Sequence, residues 1–131
     1  MPAIVTAQAN LIINATLAGT ACQATTGIKM YLGSNAPTAS VAMTLITGTG
    51  STPIVVAWNA ASGGSATNSG TPSWTNGSGS AWSIVGIELW DEGSPLRWWF
   101  GTWTGAVPTP ITIGVSDVFA VSAAAVSVAI A

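Results

Sequence analysis

The sequence predicts a mainly β protein, an antiparallel β-sandwich of jelly-roll or immunoglobulin-like type with one short N-terminal helix, in one domain over residues 1–131. Three observations predict it. The turn-forming stretches "NAP", "GTGSTP", "SGG", "NGSG", "DEGSP" and "PTP" cut the chain into pieces at roughly the 8–12-residue spacing of sandwiches and barrels. Those pieces interleave Trp, Val and Ile with Gly, Ser and Thr, which gives them enough apolar area to fold. Only the N-terminal stretch shows helical periodicity.

That stretch is "TAQANLIINATLA", residues 6–18. Ala7, Leu11, Ala15 and Ala18 fall on one side with Ile12 beside them, Thr6 is placed to cap the start and Gly19 to stop the end. The expected strands are 28–32, 54–59, 71–75, 81–90, 96–103, 111–115, 118–122 and 125–130. Strict alternation puts Val85, Ile87 and Leu89 on one face of their strand and Ile84, Glu88 and Trp90 on the other. After the turn "DEGSP", Leu96, Trp98 and Phe100 alternate with Arg97 and Trp99. Large apolar groups on both faces of both strands predict that both faces are covered, by a helix over a central sheet or by a subunit interface.

The surface this chain can present is polar but nearly uncharged. Charged residues are 5% of the composition and the net charge is −2, so little repulsion keeps copies apart. With only Lys29 and Arg97 positive, there is no basic stripe for a phosphate backbone, and nucleic acid is not an expected partner. The apolar tail "VFAVSAAAVSVAIA" falls short of the about 20 residues of a spanning helix, and no membrane partner is expected. The opening residues lack the positive start of a signal peptide and are read as part of the domain. Cys22 is the single cysteine, read as a small buried hydrophobe; it leaves the redox compartment undetermined.

The chemistry available is sparse. The absence of His removes the commonest general base and metal ligand, and neither Lys29 nor Cys22 lies in a nucleophile motif. The carboxylates are Glu88, Asp91, Glu92 and Asp117; Asp91 and Glu92 fall in a turn, where acidic side chains cap backbone groups, which counts against a glycosidase pair, and the spacing of "WDEG" and Asp117 matches no calcium loop. No catalytic, cofactor-binding or metal-ligating residue is therefore expected, and the protein is read as a non-enzyme. The sequons at Asn14 and Asn76 are set aside for want of a secretory signal.

Four of the seven Trp fall within residues 87–103, on alternating strand faces that preclude a common sugar-binding platform. Trp58, Trp82, Trp90, Trp98, Trp99, Phe100, Trp103, Val126 and Val128 are accordingly read as core or interface residues. Arg97 needs a partner if desolvated: Glu88 or Asp91 by charge, or a Trp face, with Glu88 taken as its structural ion-pair partner. A carbohydrate-binding module remains the rival function.

"WNAASGGSATNS" (58–69), "IVGIELWDEGSPLRWW" (84–99) and the β-rich tail from Ile111 together resemble the small tail-fibre-like or minor structural proteins of tailed phages of actinobacteria. The likeness covers the C-terminal part of the chain best. It departs in the last turn, where "GVSD" stands in place of a Gly-Asp pair. The resemblance implies a virion component, made in the host cytoplasm and carried on the particle surface. The scarce charge, the doubly apolar strands and the C-terminal strand "AVSVAI" predict a homo-oligomer, a trimer first, docked on the major capsid or tail proteins, with a host glycan as a further candidate. The absence of a heptad stalk or repeat array favours capsid decoration over a tail fibre.

Overall fold

Fifteen glycines and seven prolines punctuate the chain, and the strands between them are short. The structure is a computed structural model that describes residues 3–19, 27–93, 96–103 and 109–129; Cys22 lies outside them. Its elements in order are β1 (Ala3–Ile4), α1 (Thr6–Leu17), β2 (Ile28–Gly33), β3 (Ile54–Val56), β4 (Ser65–Thr67), β5 (Ser73–Thr75), β6 (Trp82–Ile84), β7 (Gly86–Asp91), β8 (Arg97–Thr102), β9 (Ile111–Ile113), β10 (Val118–Ala120) and β11 (Ser127–Ala129). The fold is mainly β and antiparallel with one short N-terminal helix, as the sequence predicts.

One layer is a five-stranded sheet in the order β1-β8-β7-β2-β3. Its register lines up Ile4, Trp99, Leu89, Met30 and Ile54 as one cross-strand row. The second layer is built from three two-stranded pairs, β4 with β11, β5 with β10 and β6 with β9. Since β4, β5 and β6 follow one another while β9, β10 and β11 run back beside them, the pairs are stretches of one antiparallel ribbon broken twice.

A buried asparagine holds each break. Asn68 donates from Nδ2 to the carbonyls of Gly70 and Ser122 and accepts from the Val126 N–H at Oδ1. Asn76 donates to the carbonyls of Ser80 and Ile113 and accepts from the Ser78 N–H. Opposite them the chain makes tight turns with Ala124 at φ 61° and Ser116 at φ 69°, a left-handed conformation costing a residue with a Cβ about 1–2 kcal/mol. The Ala124 and Ser116 N–H groups donate to the backbone carbonyls of Asn68 and Asn76, which helps hold the turns in place.

The layers share one core. Met30, Leu32, Ile87 and Leu89 from the sheet meet Trp74, Trp82, Ile84, Ile113, Phe119, Val126 and Val128 from the ribbon. Each such aliphatic side chain contributes about 1.5–3 kcal/mol on burial. The segment expected as one strand over 81–90 crosses between layers: β6 belongs to the ribbon and β7 to the sheet, with Val85 at the joint donating to the Gly33 carbonyl. That joint corrects the strict alternation, because Ile84 sits in the core with Ile87 and Leu89 and not on the Glu88 side.

Other expectations change as well. The helix N-cap is Val5, which makes no side-chain cap, and Thr6 is the first helical residue, while Gly19 follows the C-cap at φ 67° as expected. The expected apolar face is only partly covered: Ala7 and Ala18 are exposed, Leu11, Ile12 and Ala15 half-buried, and the one buried residue is Gln8, which donates to the Arg97 carbonyl. Strands β1 and β4 were not foreseen, being two and three residues long without an alternating pattern. The outer face of the sheet is covered by residues 34–44, a loop, where the sequence suggested a helix or a second subunit. Close approach there requires small residues, since a Cβ on Gly86 would lie 2.7 Å from Pro37 Cδ and one on Gly33 would collide with Met43.

Candidate functional site

The stretch 87–103 builds two different environments on the two faces of β7 and β8. On the outer face Glu88 is wholly buried. It reaches Arg97 because of a bulge: the β7–β8 register passes from Leu89 opposite Trp99 to Trp90 opposite Arg97, leaving Trp98 as the extra residue. Unbroken alternation would have set Arg97 and Phe100 on opposite faces; the bulge brings them together, with the guanidinium 5.5 Å from the Phe100 ring centroid.

Arg97 Nη1 donates to Glu88 Oε1 at 2.6 Å, the Met43 N–H donates to the same oxygen at 2.9 Å, and the Trp90 indole donates to Oε2 at 3.0 Å. The guanidinium also donates to the carbonyls of Val41 and Ala39. Burying a carboxylate and a guanidinium costs several kcal/mol per ion, and this set of charge-assisted hydrogen bonds is what offsets it. The pair thus fastens residues 39–43 to the sheet. Both carboxylate oxygens are engaged, and the arrangement does structural work.

Asp91 accepts from the Gly93 N–H in the turn after β7, while Glu92 and Asp117 are exposed. Among the described residues no three His, Cys, Asp or Glu side chains converge to hold a metal ion.

On the inner face, where β4 and β11 stand against the sheet, a cavity of about 290 Å³ opens. Ile28, Leu89, Trp98 and Trp99 form its sheet side, and Trp58, Ala66 and Val128 close the ribbon side. Trp98 and Trp99 stack with centroids 5.6 Å apart. The indole N–H groups of Trp58, Trp98 and Trp99 are buried and find no acceptor among the described residues.

None of the seven Trp is exposed: Trp74, Trp82 and Trp98 are buried, and Trp58, Trp90, Trp99 and Trp103 are half-buried. Phe100 is half-buried on the outer face, and Val126 and Val128 lie in the core. Sequence reasoning passed over Trp74, 2% exposed and donating to the Thr52 carbonyl, along with Asn68 and Asn76. Trp74 alternates with exposed Ser73 and Thr75, a period-two signal that was there to be read.

The surface carries apolar groups where charge is usual. Ile13 and Leu17 lie one turn apart on α1, Leu17 being 83% exposed, and Val41, Leu45, Val55, Val115 and Val118 are also exposed. Among the described residues no helix is long and apolar enough to cross a membrane. No protein-family model and no curated protein matches this chain.

Proposed function

We propose that this chain is a non-enzymatic structural protein of a phage virion, an oligomeric decoration protein that binds the outside of the capsid and stabilises it. The observation that carries the reading is the exposed apolar set on a surface almost without charge, Ile13 and Leu17 foremost, which is costly in water and favourable against another protein. The resemblance of residues 58–69 and 84–99 to minor structural proteins of actinobacterial phages supports the same reading. Decoration needs no reaction: copies that bind only the assembled shell add their binding free energy to its stability by mass action. A carbohydrate-binding module fits less well, because no row of Trp faces solvent.

Purified particles of a phage carrying the gene provide the test, by mass spectrometry of separated heads and tails and by thermal melting of heads with the protein deleted. The proposal expects the chain on heads and a lower melting temperature without it. Recovery on tails alone would favour the minor-tail alternative, and absence from particles would overturn the virion reading.

A further inference from the structure

We propose that the cavity between β4–β11 and the five-stranded sheet is a binding site for a small, uncharged, hydrocarbon-like molecule of about bicyclic aromatic size, a role beyond assembly. The cavity arises because small residues face large ones: Ala66 stands on β4 where the sheet presents Trp98 and Trp99. Val128, directly opposite Ala66 in register, is in the core, so Ala66 also points inward. The ribbon therefore leaves a gap that its own side chains do not fill.

The walls define the guest. No lining residue is charged. The indole nitrogens of Trp58, Trp98 and Trp99 are themselves covered, so the rings offer carbon contact and no ready hydrogen bond. A sugar would surrender the hydration of its hydroxyls without replacement, which disfavours it. Water is equally poorly held, since a bound water needs two or more polar partners. An apolar guest restores the dispersion contacts that an empty gap forgoes. Size follows from volume: an apolar cavity of about 150 Å³ accepts benzene, so about 290 Å³ suits a guest nearly twice as large.

Naphthalene and indole are the probes, with maltotriose as the sugar arm, followed by the melting temperature of the intact chain and by NMR shifts of the Ile28, Leu89 and Val128 methyl groups. The proposal expects a saturable rise in melting temperature with the aromatic probes, shifts confined to those methyls, and no response to maltotriose. Ala66→Phe, which puts a ring into the gap, should weaken binding by about tenfold or more with the fold retained by circular dichroism; Ala66→Leu, a smaller filler, should weaken it less. Absence of saturable aromatic binding, a preference for the sugar, or undiminished binding in both folded variants would overturn the proposal.

Discussion

Replacing Glu88 with Ala should be among the most damaging single changes in the molecule, and its cost can be built from the contacts. The substitution takes the acceptor from three donors at once: the Arg97 guanidinium, the Met43 N–H and the Trp90 indole. Removing one partner of a buried ion pair costs about 3–5 kcal/mol. Each neutral donor left unpaired adds about 1–3 kcal/mol, reduced where a water enters the vacated space. Arg97 keeps the carbonyls of Ala39 and Val41, which softens the first figure. The expected total is about 4–7 kcal/mol, comparable with the whole stability of many domains. Glu88→Gln retains an oxygen acceptor but removes the charge that pairs with Arg97 and turns an amide donor toward a donor, and should cost about 3–5 kcal/mol. Urea unfolding gives both values, and a double-mutant cycle with Arg97→Met separates the pair's coupling from loss of packing. Hydrogen exchange adds a local reading, because the Met43 N–H should lose protection before the core does. A Glu88→Ala protein destabilised by less than about 1 kcal/mol would refute the clamp.

Changes at three further sites probe other parts of the fold. Asn68→Ala should cost about 2–4 kcal/mol, and Asn68→Asp more, since it turns a carboxylate toward the Gly70 and Ser122 carbonyls that now accept from the amide; chemical denaturation ranks the two. Gly86→Ala forces its Cβ against Pro37 and the Asn35 carbonyl, so proteolysis within residues 34–44 should accelerate while the far ribbon stays protected. Val128→Asp places an unpaired charge in the core and should unfold the chain, with Thr49→Asp, at an exposed site, as the control within about 0.5 kcal/mol by thermal melting.

The residues that were legible in the sequence are those whose signals are local. The helix expected over 6–18 and found over Thr6–Leu17, the stop at Gly19 and the positions of the eight expected strands, one of which proves to be two, follow from periodicity and turn chemistry, which short-range sterics dictate. The partnership of Glu88 and Arg97 was legible because two of the few charges lie near each other in a stretch that had to be buried. What escaped is set by long-range pairing. The joint at Val85 and the bulge at Trp98 each shift side chains between faces, and neither leaves a mark in the pattern, so Ile84 and Arg97 were assigned to the wrong sides. Asn68 and Asn76 resemble ordinary loop asparagines until the ribbon brings residues 113–126 against them. The cavity is likewise invisible in sequence, because it depends on Ala66 meeting Trp98 and Trp99 across the two layers.

The exposed apolar side chains on this sparsely charged surface, Ile13 and Leu17 foremost, are proposed to be covered by other proteins, beginning with copies of this chain. Light scattering coupled to size-exclusion chromatography at micromolar concentration tests this most directly, on the wild type and on a variant with Ile13→Asp and Leu17→Asp. The expected result is a wild-type mass three times that of the 13.0 kDa chain and a folded but dissociated variant. A wild-type protein that stays a soluble monomer, with the variant indistinguishable from it, would contradict the claim.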